Sequence, residues 1–474
     1  MIDIPAERLA AESGAEVAVR GSEEFAERAV VDSREAGRGD LFFGLSGAKV
    51  DGGRFASDAI SAGAWGVVVD PRHAADLESD GGDRGRVGEG RAWVFSTPDP
   101  ERCLQQMARA WRRTIGCPLV GITGSTGKTS VKDITRALLP VNVHASPENF
   151  NTEIGMPLAL LAAPRDTDVL VMEMAMRGLG QIRQLCEIAE PDVAAITNVG
   201  PVHLELLGTL EAIAEAKAEI LDGLDFGSGE GRAVVPADAE ALEPHLHDEL
   251  LTFTFGPGGD VFAESAARRG DRMKARVGTP HGEADFEFGF TEEHNLRNAL
   301  CAIAIGVALD LDPAAMAANA TRIQFSRLRG ERIALQGGIL LLNDCYNANP
   351  ISMRAALEHL ATEPAPGGGR HAAILGGMAE LGPDGPDFHE QVAELARGLG
   401  ISPLIGVGDL ARDYAPDEWV ETPAEAAEMA AGLLGDGDVA LIKGSRSVGL
   451  ELVADSLIAE LGAEQPEAGE GETA

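Results

Sequence analysis

The sequence has few aromatic residues, few cysteines and few lysines, and each shortage narrows what the chain can be. Aromatic residues make up 4% of the 474 residues, so its cores must pack mainly with Ala, Leu, Val and Ile. Its five cysteines, at positions 103, 117, 186, 301 and 345, form no C-x-x-C pair and are odd in number. That pattern fits neither a disulfide framework nor a zinc cluster, so we expect reduced thiols with structural roles.

The chain also lacks the features of exported and membrane-spanning proteins. Its first residues, MIDIPAERLA, contain no basic segment followed by an apolar core. No uninterrupted apolar run approaches the roughly 20 residues that span a bilayer. We therefore expect a cytoplasmic protein without stable membrane insertion.

Positive charge is scarce. The formal net charge is -37 at pH 7, and only six of the 39 basic residues are lysines. A field of this sign repels polyanions, so neither nucleic acid nor an anionic membrane is an expected partner. The acidic, lysine-poor composition also suggests the hypothesis of a salt-rich cytoplasm, where the Debye length shortens to about 3 Å at 1 M.

The length and the apolar pattern predict three α/β domains. A chain of 474 residues exceeds what one core holds, and 45% hydrophobic residues can fill several. Residues 1–100 read as a small α/β domain. From residue 117, short apolar runs such as PLVGIT, DVLVMEMA and DVAAITNV alternate with helical segments, which predicts a mostly parallel sheet in a central domain over 101–327.

Two further segments complete this organisation. Near residues 250–290, LTFTFG and ADFEFGF alternate apolar and polar residues, which suggests a more antiparallel excursion. After about residue 328, strand and helix patterns alternate again and predict a C-terminal Rossmann-like α/β domain over 328–463. The remaining residues, 464–474, read as a disordered acidic tail.

The stretch GITGSTGKTS, residues 121–130, fits only half of the usual phosphate-binding pattern G-x-x-x-x-G-K-[ST]. Gly127, Lys128 and Thr129 match, but Ile122 stands where the pattern requires its first Gly. The stretch nevertheless follows a predicted buried strand and opens a predicted helix, where backbone N–H groups and the helix dipole favour an anion. We interpret it as a phosphate loop of an ATPase domain rather than a plain Gly-rich turn.

A lysine falls on the apolar face of the helix predicted over residues 208–224. Lys217 shares that face with apolar residues at helical spacing: Leu210, Ile213, Ile220, Leu221 and Leu224. Burying an ammonium costs several kcal/mol unless it is paired, and burial pushes its pKa down. Two interpretations stay open: a lysine that snorkels or pairs with an acid such as Glu173, or a reactive or chemically converted amine.

Two candidate metal ligands follow buried strands. Glu173 closes the run DVLVME, and His203 lies just beyond ITNVGPV. Ligands collect at the carboxyl ends of strands in doubly wound sheets, so both side chains are expected to face the phosphate loop. A carboxylate suits magnesium, whereas a histidine is a less usual magnesium ligand.

These stretches and others in the same order resemble the Mur ligases, the ATP-dependent amide-forming enzymes of peptidoglycan precursor synthesis. Besides the phosphate loop, the matching segments are NFNTEIGMP (149–157), TNVGPVHLELLGT (197–209), EAKAEI (215–220), HNLRNAL (294–300), NDCYNANP (343–350), GGMAELG (376–382) and KGSR (443–446). Departures are small: Cys345 follows Asp344, and EMAMRGLGQI replaces the commoner Glu-Leu-Gly version.

Within the family, YNANP, MAELG, KGSR and the amino-terminal DSREAGRGDLFFGLSG resemble the members that add D-alanyl-D-alanine to UDP-N-acetylmuramoyl-tripeptide. The resemblance implies that ATP phosphorylates the terminal carboxylate of the tripeptide and that the amine of the dipeptide then displaces phosphate. It leaves the third residue of the tripeptide, lysine or diaminopimelate, undetermined. We expect a monomer whose third domain closes over the second.

The resemblance also implies roles for individual residues. The catalytic set is Lys128, Glu173, His203 and Lys217. The implied ATP contacts are Gly124, Ser125, Thr126, Gly127, Lys128 and Thr129 for the triphosphate, Asn295 and Asn298 for adenine, Asp344 for ribose, and Arg329 for the γ-phosphate, with Arg332 as its competitor. Magnesium would be held by Thr129, Glu173, His203 and Lys217, the last as a carbamate.

Substrate contacts are implied in the same way. Ser33 and Arg34 match the uridine diphosphate site, and Asn151 and Thr152 match the muramoyl peptide site. Lys443, Ser445 and Arg446 are candidates for the transferred dipeptide or the nucleotide.

Two other functions remain as alternatives. One is another ligase of the superfamily, such as a folylpolyglutamate synthase or the enzyme that adds the third residue; YNANP and the amino-terminal segment argue against it. The other is a non-catalytic nucleotide-binding regulator, against which the intact Lys128, Glu173, His203 and Lys217 argue.

Overall fold

Three sheets of five or six strands follow one another along the chain in the computed structural model, which describes residues 2–47, 50–79, 86–87, 90–224 and 231–463. Each sheet is parallel or mostly parallel, as the alternation of apolar runs and helices predicted. The acidic tail expected over 464–474 lies outside the described residues. Within the described part of the chain, we find no helix with the length and apolar content needed to cross a bilayer.

The first sheet has five strands in the order β1-β7-β4-β3-β2, with β1 antiparallel to β7 and the others parallel. Two further strands form a small ribbon, and a long helix leads to the next sheet. The elements are α1 (Ala6–Ser13), β1 (Glu16–Val19), β2 (Ala29–Val30), β3 (Leu41–Phe43), α2 (Ala56–Ala62), β4 (Gly66–Val69), α3 (Pro71–Ser79), β5 (Arg86–Val87), β6 (Gly90–Arg91), β7 (Trp93–Ser96) and α4 (Pro100–Ile115).

The connecting helix α4 has clear start and stop signals. Asp99 caps it by accepting a hydrogen bond from the Arg102 backbone N–H at 2.9 Å, Pro100 occupies the first turn, and Gly116 ends it in the left-handed conformation. Its buried face packs against α1 and against helices of the central sheet.

The central sheet has six parallel strands in the order β13-β12-β11-β8-β10-β9. After β8, the chain first adds β9 and β10 on one side of that strand and then β11, β12 and β13 on the other side. Where the direction of strand addition reverses, the carboxyl ends of β8, β10 and β11 border a crevice. The elements are β8 (Leu119–Thr123), α5 (Lys128–Leu138), β9 (Val143–Ala145), α6 (Gly155–Leu161), β10 (Val169–Glu173), α7 (Gln181–Ala189), β11 (Val193–Ile196), α8 (Leu204–Leu207), α9 (Leu210–Asp222), β12 (Gly231–Pro236) and β13 (Leu250–Phe255).

The antiparallel excursion predicted near 250–290 is partly wrong. The LTFTFG segment forms β13, which pairs in parallel with β12 at the edge of the central sheet. An edge strand buries only part of its surface, so its alternation looks like that of an antiparallel strand. The ADFEFGF segment does lie in an antiparallel sheet, formed by β14 (Phe262–Arg269), β15 (Arg272–Thr279) and β16 (Gly282–Phe288), and is followed by α10 (Glu293–Ala308) and α11 (Pro313–Ala317).

The third sheet has the order β17-β18-β22-β19-β20-β21, and only its edge strand β17 is antiparallel. Asn349 caps α12 by accepting a hydrogen bond from the Ser352 N–H at 3.0 Å. The elements are β17 (Glu331–Leu335), β18 (Ile339–Asn343), α12 (Pro350–Thr362), β19 (His371–Gly376), α13 (Gly385–Gly398), β20 (Leu404–Val407), β21 (Glu418–Val420), α14 (Pro423–Leu433), β22 (Val439–Lys443) and α15 (Glu451–Leu461).

Candidate active site

A cleft of about 810 Å³ is lined by residues of both the central and the C-terminal sheet. Most of the predicted site residues line it: Gly124, Ser125, Thr126, Gly127, Lys128, Thr129, Asn151, Thr152, Glu173, His203, Lys217, Asn295, Asn298, Arg329, Asp344 and Lys443. The predicted catalytic set therefore meets in one place, at the carboxyl edge of the central sheet, where parallel α/β sheets bind their ligands.

The phosphate loop is held in shape by the segment that follows β11. The Asn198 side chain accepts from the Thr126 N–H at 2.9 Å and donates to the Thr126 hydroxyl at 2.6 Å. The Ser125 hydroxyl donates to the Gly200 carbonyl at 3.0 Å. At the start of α5, the Lys128 ammonium folds back and donates to the Gly124 carbonyl at 2.8 Å. The loop is thus preorganised at a helix N-terminus, where an anion is favoured.

Gly124 is required by this loop for two reasons. Its φ of 149° is in a region that L side chains rarely adopt, and a Cβ there would lie 1.9 Å from the Thr197 hydroxyl oxygen. We expect Gly124→Ala to cost about 1–3 kcal/mol of unfolding free energy through backbone strain and to weaken ATP binding. Thermal unfolding and nucleotide titration measure both effects. Gly178→Ala is the control, because its Cβ would meet no atom within 4 Å; equal behaviour of the two variants would contradict this role for Gly124.

Glu173 is the centre of a buried polar cluster. Its carboxylate is 2% exposed and accepts hydrogen bonds from the Thr129 hydroxyl and the Asn151 side-chain amide, both at 2.8 Å. The Lys132 ammonium lies 4.0 Å from the same carboxylate and donates to the Glu148 carbonyl at 3.3 Å. The cluster joins the phosphate-loop helix to the segment that carries Asn151.

Lys217 is buried and lines the cleft. It is 2% exposed and forms no hydrogen bond or ion pair with any residue that the structure describes. Burial lowers the pKa of its amine well below the ordinary value, and the positive charge of Lys128 lowers the pKa further. Lys217 thus pairs with neither Glu173 nor any other acid that the structure describes, which favours the second of the two interpretations from sequence, a reactive or chemically converted amine at the cleft.

Burial also lowers the pKa values of Lys128 and His203, two other members of the predicted catalytic set. The pKa of Lys128 falls because its ammonium is desolvated, although the negative charge of Glu173 opposes the shift. The pKa of His203 falls for the same reason, opposed by a hydrogen bond from its ring to Glu380.

Four of the six lysines of this lysine-poor chain line this cleft or contact a residue that lines it. Lys128, Lys217 and Lys443 line it, and Lys132 contacts its Glu173. Three of these four, Lys132, Lys217 and Lys443, are among the largest fully buried side chains of the described residues. Buried ammonium groups are costly, so their concentration indicates a site built to receive negative charge.

Comparison with known proteins gives the family. The chain matches the Mur ligase middle domain over residues 122–306, the glutamate ligase domain of Mur ligases over 328–446, and the Mur ligase family catalytic domain over 29–112. A curated relative from Synechocystis sp., named UDP-N-acetylmuramoyl-tripeptide--D-alanyl-D-alanine ligase, is 36% identical over 451 residues, which cover 90% of this chain and 91% of that protein. The chain belongs to the Mur ligase family.

Solved structures agree with this assignment. MurF from Acinetobacter baumannii superposes on this chain with a TM-score of 0.82 at 24% identity. The match covers 96% of this chain and 99% of the MurF chain, so the two share a fold. The MurF ligase of Thermotoga maritima, solved in complex with ADP, has a TM-score of 0.78 at 28% identity and covers 92% of this chain and 98% of its own. The predicted three-domain α/β fold is confirmed as that of a Mur ligase.

In this Mur ligase, contacts distinguish the two arginines that the sequence left in competition. Arg329 stacks over the Tyr346 ring, with its guanidinium carbon 4.0 Å from the centroid, and donates to the Thr129 hydroxyl at 3.3 Å. Arg332 instead pairs with the buried carboxylate of Glu363 at 2.9 Å. Arg329 is therefore the arginine that faces the phosphate loop.

The nucleotide candidates of the C-terminal half form two small groups. Asn298 donates to the Asn295 side-chain oxygen at 3.2 Å. Lys443, at the end of β22, donates to the Asp344 carboxylate at 2.5 Å and to the Asn347 carbonyl at 3.1 Å. Lys443 thus lies beside the residue that the Mur ligase resemblance assigned to ribose.

Four predicted site residues do not line the cleft. Ser33 and Arg34 belong to the first sheet's domain, where Arg34 pairs with Asp32 at the surface. The Ser445 hydroxyl is buried and accepts from the Ala379 N–H at 2.9 Å, and the exposed Arg446 pairs with Glu451 at 2.9 Å. In this arrangement Ser445 and Arg446 of the KGSR segment contact residues of their own C-terminal domain.

Sequence reasoning missed four residues of the Mur ligase cleft and its rim: Lys132, Asn198, Tyr346 and Glu380. Lys132 carried a readable signal, because it lies on the apolar face of α5 as Lys217 does on α9. Asn198, Tyr346 and Glu380 all lie in segments quoted as matching motifs, but each has its partner outside its own motif, which no local pattern reveals. Asn198 contacts Thr126, 72 residues away, Glu380 contacts His203 on the central domain, and Tyr346 contacts Arg329.

Proposed function

We propose that the protein is an ATP-dependent ligase that joins D-alanyl-D-alanine to the terminal carboxylate of UDP-N-acetylmuramoyl-tripeptide and produces ADP and phosphate. The observation that carries this proposal is the meeting of Lys128, Glu173, His203 and Lys217 in one cleft of a Mur ligase whose relatives bear that activity in their names.

Amide formation from a carboxylate requires a leaving group. In the first step, a carboxylate oxygen of the tripeptide attacks the γ-phosphorus of ATP, the bond to the β,γ-bridging oxygen breaks, and ADP leaves an acyl phosphate. In the second step, the amine of D-alanyl-D-alanine attacks the carbonyl carbon, the bond to phosphate breaks, and the amine loses its proton. Every reactant carries at least one anionic group, so the main work of the protein is alignment and charge neutralisation.

The phosphate loop would hold the triphosphate. Its backbone N–H groups and the α5 dipole favour the anion, and Lys128 can exchange its bond to the Gly124 carbonyl for the β- and γ-phosphates. Arg329, held on Tyr346 and next to Thr129, suits the γ-phosphate during transfer. Asn295, Asn298 and Asp344 are the candidates for adenine and ribose, with Lys443 beside Asp344.

The residues around Glu173 fit magnesium. Thr129 and Glu173 present adjacent oxygen atoms, the ligand type that magnesium prefers, and both side chains are buried at the cleft. Thr129, Glu173, His203 and a carbamate on Lys217 would hold the ion or ions. Bound there, magnesium supplies positive charge that neutralises the phosphate oxygens.

The state of Lys217 supports its conversion to a carbamate. A neutral amine is the form whose nitrogen attacks carbon dioxide, forming an N–C bond and releasing a proton. Burial and the neighbouring Lys128 favour the neutral form. The product would be an anion beside Lys128 and His203, which replaces a buried amine with a negative ligand.

The acceptor substrate would extend from the cleft toward the first domain. Asn151 and Thr152 line the cleft and suit the muramoyl peptide, while Ser33 and Arg34 suit the uridine diphosphate. Ser445 and Arg446 are proposed to approach the dipeptide or the nucleotide only if the C-terminal domain moves. We also propose that the enzyme acts in the cytoplasm, because ATP and the nucleotide-linked substrate are cytoplasmic metabolites. Its proposed oligomeric state is a monomer.

A substrate panel tests the function. Phosphate release is expected only when ATP, UDP-N-acetylmuramoyl-tripeptide and D-alanyl-D-alanine are all present. Folylpolyglutamate synthase activity would require folate and glutamate instead, and a regulator would release no phosphate in any mixture. Running the lysine and diaminopimelate tripeptides side by side identifies the third residue. Equal phosphate release without the dipeptide would contradict the proposal.

A further inference from the structure

One residue of the C-terminal domain makes three contacts with the central domain at the rim of the cleft. The carboxylate of Glu380 hydrogen-bonds Nδ1 of His203 and lies 3.6 Å from Nε of Arg177. Its backbone carbonyl accepts from the Glu205 N–H at 3.4 Å. Glu380 thus joins two separate loops of the central domain, those that follow β10 and β11.

The backbone on both sides of this contact is unusual. His203 has a φ of 54° and Glu380 a φ of 62°, in the left-handed region that residues other than glycine seldom occupy. Two residues later, Gly382 packs so closely that a Cβ would lie 3.3 Å from the Glu205 Cα. Non-glycine residues persist in this conformation only where their surroundings hold them, and such residues concentrate at functional sites.

We propose that Glu380 is a positioning residue that orients His203 and thereby links docking of the C-terminal domain to completion of the catalytic cleft. The inference rests on the proposed function in that His203 serves the cleft. A carboxylate oxygen can only accept, so Nδ1 of His203 carries the proton and Nε2 keeps the lone pair of the neutral ring. Within the described residues, Glu380 is the sole hydrogen-bond partner of the His203 ring.

The link between domains follows from where each group lies. His203, Arg177 and Glu205 belong to the central domain, and Glu380 belongs to the C-terminal domain between β19 and α13. If the domains separate, the His203 ring loses its acceptor and Arg177 loses its counter-charge together. Docking therefore sets the ring orientation and the tautomer of His203, and a cleft without the docked domain is incomplete.

Two variants separate positioning from mere contact. Glu380→Gln keeps a side-chain oxygen that accepts the Nδ1 proton, so it is expected to retain most of the activity. Glu380→Ala removes the acceptor and is expected to lower kcat about 10–100-fold with little change in the KM for tripeptide. Because the Glu380 side chain is 35% exposed, neither change is expected to unfold the chain. Glu390→Gln, an exposed position on α13 in the same domain, is the control.

The decisive readout does not depend on turnover. In protein labelled with ¹⁵N-histidine, with an ATP analogue bound, the His203 resonances should report the Nδ1-protonated tautomer in the unmodified protein and in Glu380→Gln, and a shift away from it in Glu380→Ala. The His203→Asn variant assigns the signals. X-ray scattering should show compaction by the analogue in the unmodified protein and less compaction in Glu380→Ala.

Three results would overturn the proposal. The first is an unchanged His203 tautomer in Glu380→Ala, and the second is a kcat of Glu380→Ala equal to that of the unmodified protein. The third is an equal loss of kcat in Glu380→Ala and Glu380→Gln. The tautomer and scattering experiments need only the ATP analogue. A failure of the proposed ligase activity would instead appear as absent phosphate release by the unmodified protein, so the two failures are distinguishable.

Discussion

Replacing Lys217 with methionine is expected to lower kcat by about 10²–10³-fold while the protein stays folded. The amine lines the cleft, and no residue that the structure describes pairs with it, so removing it removes the group proposed to become the carbamate. Methionine is unbranched and of similar length, and it avoids burying a polar amine, so the midpoint of thermal unfolding should stay equal or rise. Phosphate release and thermal unfolding of the same preparation measure both effects.

Two controls make this result specific to Lys217. Lys274→Met changes a lysine on β15 that pairs with Glu287 at 2.8 Å outside the cleft, and it should leave kcat unchanged. Lys217→Ala should regain activity with short carboxylic acids that can occupy the position of the carbamate. In the unmodified protein, ¹³C-labelled carbon dioxide should give a carbamate resonance that Lys217→Met lacks. Near-normal turnover by Lys217→Met would contradict the role proposed for this amine.

Changing Glu173 to glutamine is expected to have an effect of the same size on kcat, about 10²–10³-fold, for a different reason. The amide preserves the shape of the side chain, but it removes the negative charge between Thr129, Asn151 and Lys132. Affinity for a divalent ion in the presence of ADP should fall at least about tenfold. Manganese, which can be followed by electron paramagnetic resonance, serves as the probe ion.

The exposed variant Glu390→Gln is again the control for Glu173→Gln, and it should bind manganese as the unmodified protein does. If Glu173→Gln binds manganese with unchanged affinity, Glu173 is not part of the cation site, and its cluster with Thr129 and Asn151 has only a structural role.

Local patterns predicted those parts of the fold and site that depend on neighbours in sequence. The phosphate loop could be recognised from a buried strand followed by glycines and an amphipathic helix, despite the departure at Ile122. Lys217 stood out because a charged residue interrupted an apolar helix face. The strand that ends at Glu173 and the strand that precedes His203 could be expected to end at the same edge of the sheet, because parallel strands have their carboxyl ends on one side.

What the sequence left open depends on contacts between distant segments. The choice between Arg329 and Arg332 required knowing that Arg332 pairs with Glu363 and that Arg329 donates to Thr129. The edge position of β13 depends on pairing with β12, since its own alternation is compatible with either direction. The bond between His203 and Glu380 joins residues 177 positions apart on two domains, and no periodicity encodes such a pair.

We propose that one cleft aligns three reactants, each with at least one anionic group, for phosphoryl transfer to a carboxylate and then for amide formation. The most direct measurement uses tripeptide labelled with ¹⁸O in its terminal carboxylate, ATP and D-alanyl-D-alanine. Because the amine displaces phosphate from the acyl carbon, the phosphate keeps one oxygen of the former carboxylate, and each phosphate released is expected to carry one ¹⁸O atom, visible as an isotope shift in ³¹P NMR. Unlabelled phosphate, or label found in AMP instead, would contradict it.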